Sequence, residues 1–196
     1  MKKFNLRLLT IMLAVFSVTL LSCDDEESSK DNSFSYNGTT YKIAAGFLEN
    51  YGAVIEKSVS SYNLDLTFAT SGITYNTETG DISGIGSMLY FEMFTTSGTQ
   101  LVPGTYSFDL YETTNAGTFD YAELAINYNF ATETGTYVDF VAGTVVVKLT
   151  ETTYEITINL TSTENKVLTG YFKGTLTYVD LTEMPVKSNH IKPFKR

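Results

Sequence analysis

Tyr62-Asn63-Leu64-Asp65-Leu66-Thr67-Phe68 alternates apolar and polar side chains without a break, with Tyr62, Leu64, Leu66 and Phe68 on one face and Asn63, Asp65 and Thr67 on the other. Successive side chains of an extended chain point to opposite sides, so this stretch reads as a half-buried β-strand. Tyr154-Glu155-Ile156-Thr157-Ile158-Asn159-Leu160-Thr161 repeats the rhythm, as do Tyr106–Leu110 and Val145–Leu149. Helical spacing is not sustained beyond the first 22 residues.

Turn signals separate these runs. Asn37-Gly38, between Phe34-Ser35-Tyr36 and Thr39-Thr40-Tyr41, is the strongest, because a two-residue type I′ hairpin needs positive φ at both central positions. Gly-Thr pairs at Gly104, Gly117, Gly135, Gly143 and Gly174 read as strand starts. Gly170 and Gly174 share a face with Phe172 and Leu176, which predicts a curved final strand pair. Met88–Phe94 is apolar on both faces except at Glu92, the pattern of a central strand covered on both sides. The expected fold is all-β: one antiparallel β-sandwich or flattened barrel of about eight to ten strands, with an up-and-down, lipocalin-like barrel as the alternative.

The first residues carry an address. Lys2, Lys3 and Arg7 precede the uncharged apolar run Leu8–Leu21, 14 residues long, which Ser22 and Cys23 follow. This is a signal-peptide layout, and the run is shorter than the roughly 20 residues that span a bilayer. Leu20-Leu21-Ser22-Cys23 resembles the lipobox of bacterial lipoproteins, with Leu21 bulkier than the small residue commonest at its position. The resemblance implies cleavage before Cys23 and lipidation of that cysteine, with acyl chains enough for stable membrane attachment. Asp24, Asp25, Glu26 and Glu27 then open a polar tether through residue 32, and this acidic run resembles the surface-export signal of Bacteroidota lipoproteins. That implies an outer-membrane protein facing the cell exterior. A periplasm-facing location is the alternative, since an Asp beside the lipidated cysteine retains lipoproteins at the inner membrane in some other bacteria. The segments SGIGSMLYFEMF, LVPGTYSFDL and YEITINLTSTENKVLTGYFKGTLTYVD likewise look like small Bacteroidota surface lipoproteins of unassigned function. The expected organisation is a signal peptide at 1–22, a tether at 23–32, a β-rich domain at 33–180 and a tail at 181–196.

Composition narrows function. Removing residues 1–22 takes three of the 13 basic residues and none of the 22 acidic ones, which leaves a 174-residue chain of net charge −12. Nucleic acid is therefore not an expected partner. Between Ser33 and Asp180 there is no arginine, so bidentate grip on phosphate or carboxylate is unavailable. Cys23 is the one cysteine, which excludes an intrachain disulfide. His190 is the one histidine and lies in the tail, with no nucleophile-elbow motif to accompany it. No cofactor motif is present, and none is expected to bind.

Candidate site residues remain. Glu92 interrupts an apolar strand; it reads either as a sheet-surface acid or as a general acid with a second carboxylate from Asp109, Glu112, Asp120 or Glu123. Asn76, Glu78 and Asp81 surround Gly80 and read as polar turn residues or as oxygen ligands for Ca²⁺. Of 14 tyrosines, Tyr41, Tyr75, Tyr111 and Tyr171 have the polar neighbours expected of exposed, ligand-stacking rings. The leading functional expectation is a non-enzymatic binding module for a glycan or protein. The alternatives are a small glycoside hydrolase-like enzyme with a carboxylate pair, or a carrier of an apolar ligand in an enclosed cavity.

Overall fold

The computed structural model describes residues 30–56 and 59–183. Cys23, Asp24 to Glu27 and His190 lie outside them. Twelve strands follow in chain order: β1 Ser33–Tyr36, β2 Thr39–Lys42, β3 Ala45–Glu56, β4 Val59–Ala69, β5 Ile73–Tyr75, β6 Ile82–Thr95, β7 Gly104–Phe108, β8 Thr118–Asn129, β9 Thr134–Thr150, β10 Thr153–Ser162, β11 Val167–Gly174 and β12 Thr177–Asp180. The fold is all-β, with more strands than expected and in one sheet. Eleven lie on one hydrogen-bonded path, β12-β3-β4-β6-β8-β7-β9-β10-β11-β1-β2, and β5 adds to β6. The sheet is a curled, open half-barrel, neither a two-sheet sandwich nor a closed up-and-down barrel.

The Asn37-Gly38 hairpin forms as its sequence requires, with φ of 49° and 80° and Tyr36 paired to Thr39. Three other expectations need correction. Gly143 and Gly174 do not open strands: Gly174 ends β11, and Gly143 sits inside β9, where β9 changes neighbour from β8 (residues 134–139) to β7 (residues 144–147). A Cβ at Gly143 would stand 2.3 Å from the Asn159 carbonyl oxygen, so only glycine fits this bend. The final strands do not pair with each other either. β12 leaves β11 and adds parallel to β3, Thr177 opposite Phe47, so the chain itself crosses between the two ends of the sheet. Finally, β4 is not half-buried: Asp65 and Thr67 are as enclosed as Leu64 and Leu66.

That double burial follows from two cores. The curl brings strands distant along the path face to face, and Phe68 of β4 meets Phe172 of β11 with ring centroids 5.0 Å apart. Leu48, Leu66, Leu89, Phe91, Phe119, Val145, Ile156 and Leu168 fill this concave side. On the convex side Phe47, Ala69, Met88, Tyr90, Ala125 and Tyr128 form a second cluster, against which Ile73, Tyr75 and Ile82 of β5 and β6 pack. β6 is thus covered on both faces along Met88–Phe94, as its composition predicts.

Candidate functional site

Register places acids side by side on the convex face. Glu49 of β3 pairs with Asp65 of β4, Asp65 with Glu92 of β6, and Glu92 with Tyr121 of β8. One row along, Phe47, Thr67, Tyr90 and Glu123 are aligned in the same way. Residues directly opposite across antiparallel strands have Cβ atoms roughly 4.5–5.5 Å apart, so three carboxylates from three strands share one small patch. Glu49, Asp65 and Glu123 are buried and Glu92 is half-buried, so the floor opens outward at Glu92.

Tyrosines line this floor. Tyr75 donates to Glu49 and stacks on Phe47 at 4.7 Å between centroids. Tyr90 donates to Asp65, whose other oxygen accepts from Asn63 Nδ2 at 2.9 Å. Tyr121 donates to Glu123 Oε2 at 2.8 Å and meets Tyr90 edge-on at 5.9 Å. The half-buried Tyr51 feels the charges of Glu49, Asp65 and Glu92.

Burial controls the protonation here. Desolvation pushes Glu49 up to about 7, against the hydrogen bond from Tyr75. Desolvation also raises Asp65 well above the usual carboxylate range, and the charges of Glu92 and Glu49 add to it. Tyr90, Tyr75 and Tyr51 are held protonated above their ordinary range, first by burial and then by neighbouring negative charge. Glu49 and Asp65 are therefore buried acids held toward their protonated forms and engaged by Tyr75 and Tyr90, and Glu92 is the acid of this row that reaches solvent.

The candidates read from sequence divide as follows. Glu92 and Glu123 come together on adjacent strands. Asp120 is the extra residue of a β-bulge, because Glu92 pairs with Tyr121 and Met93 with Phe119. Asp109 caps its own turn, accepting from the amides of Tyr111 and Thr113 at 2.9 Å, and Glu112 lies exposed within that turn. Asn76 Oδ1 accepts from the amides of Glu78 and Thr79, and Thr79 Oγ1 donates to Asp81 at 2.8 Å, the arrangement of a polar turn. Tyr75 belongs to the acidic patch and is half-buried, contrary to expectation. Tyr41 is also half-buried, stacked on Phe34 at 5.1 Å, and Tyr171 is half-buried beneath Lys30. Only Tyr111 is exposed as expected, at 85%.

Glu49, Asp65, Tyr51 and Tyr90 escaped the sequence reading, although for all but Asp65 a signal existed. Glu49-Asn50-Tyr51, Tyr90-Phe91-Glu92, Tyr121-Ala122-Glu123 and Tyr137-Val138-Asp139 each set an acid and a tyrosine two residues apart, hence on one face of a strand. No family model, curated protein or solved structure matches the chain.

Proposed function

We propose that this protein is a lipoprotein anchored through Cys23 and displayed on the cell surface, whose domain binds a glycan on the convex patch without cleaving it. The observation that carries the glycan reading is the joining of Glu49, Asp65 and Glu92 into one row beneath Tyr51, Tyr75 and Tyr121. Sugar hydroxyls donate to carboxylates and accept from protonated ones, and tyrosine supplies an apolar ring with a polar rim. A hydrolase needs two acids whose environments push their protonation apart. Glu49 and Asp65 are both shifted upward, so these two do not form such a pair. The carrier reading needs room on the concave side, where Phe68, Phe91, Phe119 and Phe172 pack together.

Glu92→Ala should reduce affinity for the best binder among soluble glucose, mannose, galactose, xylose and N-acetylglucosamine oligosaccharides at least tenfold, with circular dichroism unchanged. Equal affinity, or no binding to any oligosaccharide, would remove the glycan reading, and release of shortened product would move the site to the hydrolase reading. The anchor is tested separately. Cys23→Ser should abolish acylation and shift the protein out of the membrane fraction, and alanine at Asp24, Asp25, Glu26 and Glu27 should lower protease accessibility on intact cells with acylation intact. Membrane attachment that survives without a lipid adduct would overturn the assignment.

A further inference from the structure

Cations are scarce in this domain, and their placement is uneven. The described residues hold five lysines, no arginine and 18 acids. Two of the lysines are paired: Lys148 with Glu155 at 3.3 Å and Lys166 with Glu164 at 2.7 Å. The other three, Lys30, Lys42 and Lys173, line one open cleft with Asp31, Asn32 and Ile43. We propose that this cleft is an anion site for a phosphoryl group, distinct from the acidic patch, and that the phosphate headgroups of the membrane supply it.

The cleft is built by the sheet. Lys42 ends β2 opposite Ser33, and Lys173 lies near the end of β11, two residues past Tyr171, which pairs with Ser33. Asn32 fixes the frame: its side chain donates to the Lys173 carbonyl at 3.1 Å and accepts from the Lys173 amide at 2.7 Å, and its carbonyl accepts from Ile43 N at 2.9 Å. Lys30 Nζ sits 5.3 Å above the Tyr171 ring, a cation–π contact that holds the ammonium at the rim. Glu155, the register neighbour of Lys173, is engaged by Lys148. Among the described residues, three ammoniums against Asp31 make the cleft locally positive on an acidic protein. Lysine binds phosphate as a point charge, so the site does not need the arginine fork that the chain lacks.

Membrane is favoured over a soluble source by distance. Lys30 follows Cys23 by seven residues, and an extended chain covers at most about 25 Å in that length, so lipidation would hold the cleft close to the headgroups. This step rests on the anchor, whereas binding of the phosphoryl group does not.

The test uses the mature chain with Cys23→Ser, vesicles of phosphatidylcholine with and without 30% phosphatidylglycerol, and inorganic phosphate, all at low salt. Anionic vesicles should retain the protein at least fivefold better than neutral ones despite its net negative charge. Lys30→Gln/Lys42→Gln/Lys173→Gln should abolish the difference, and the control Lys148→Gln/Lys166→Gln should preserve it. Phosphate titration that shifts backbone amide resonances of Asn32 and Lys173, without vesicle retention, would assign the cleft to a soluble phosphoryl compound and overturn the headgroup source. Failure of both arms, or equal loss in the control, would overturn the site itself.

Discussion

The β-rich domain should melt at higher temperature at pH 4.5 than at pH 7, against the usual behaviour of proteins whose carboxylates are stabilised as anions. Unfolded Glu49 releases its proton near 4.5, whereas folded Glu49 holds it to about 7. Below 4.5 both states are protonated and the folded state loses nothing. Between 4.5 and 7 the folded state binds more protons than the unfolded one, so stability falls as pH rises, and above 7 this contribution is flat. A shift of that size corresponds to about 3 kcal/mol, or roughly 6–12 °C for a domain of this length. Asp65 acts in the same direction from a lower starting pH, because burial raises it well above its ordinary value of 3.8. Asp109 and Asp180, lowered by hydrogen bonds from Thr113 and Thr182, oppose the trend only beneath the ordinary carboxylate range. Glu49→Gln should flatten the profile and raise the neutral-pH midpoint, since Tyr75 can still donate to the amide oxygen. A melting temperature that climbs from pH 4.5 to 7, or a Glu49→Gln profile identical to the parent, would refute the assignment.

Phe68→Ala should cost about 3–5 kcal/mol and lower the melting temperature by roughly 10 °C. Phe68 is fully buried, and its ring meets Phe172 across the concavity. The loss therefore combines transferred apolar surface, a cavity, and a contact between the two ends of the curled sheet. Phe172→Ala should be nearly as damaging, and the double variant should lose less than the two single changes together by about 0.5–1.5 kcal/mol, the coupling of an aromatic pair. Tyr111→Ala, at an exposed loop position, should change stability by no more than about 0.5 kcal/mol. Strict additivity of Phe68 and Phe172, measured by denaturant unfolding, would show that the sheet is not curled as described.

The strands were legible because a strand's own neighbours write its alternation: Leu64-Asp65-Leu66-Thr67-Phe68 needs nothing distant to be read as extended. What encloses Asp65 is not local. Its cover comes from Tyr90 on β6, its charged neighbours from Glu49 on β3 and Glu92, and the convex packing from the β5 hairpin. An acid opposite an apolar face looks solvent-facing until pairing order is known, so the second buried face of β4 was invisible. Glu92 stood out because its own strand is apolar on both sides; Asp65 did not, since its same-face neighbours Asn63 and Thr67 are polar. The same limit explains β12, whose parallel partner β3 lies more than a hundred residues earlier in the chain.

Asn32 has a mechanical consequence. Under the proposed function, with a tether at Cys23 and a ligand on the convex face, the domain would be loaded in tension, and the pull would reach the sheet where the chain joins β1. The three hydrogen bonds that Asn32 makes to Ile43 and Lys173 clamp that junction to β11 and to the residue that follows β2. Forced opening is governed by the barrier along the pulled path, not by overall stability. Drag on such a ligand would therefore be shared between two parts of the chain at the junction before it could begin to peel the four-residue strand β1 from its neighbours.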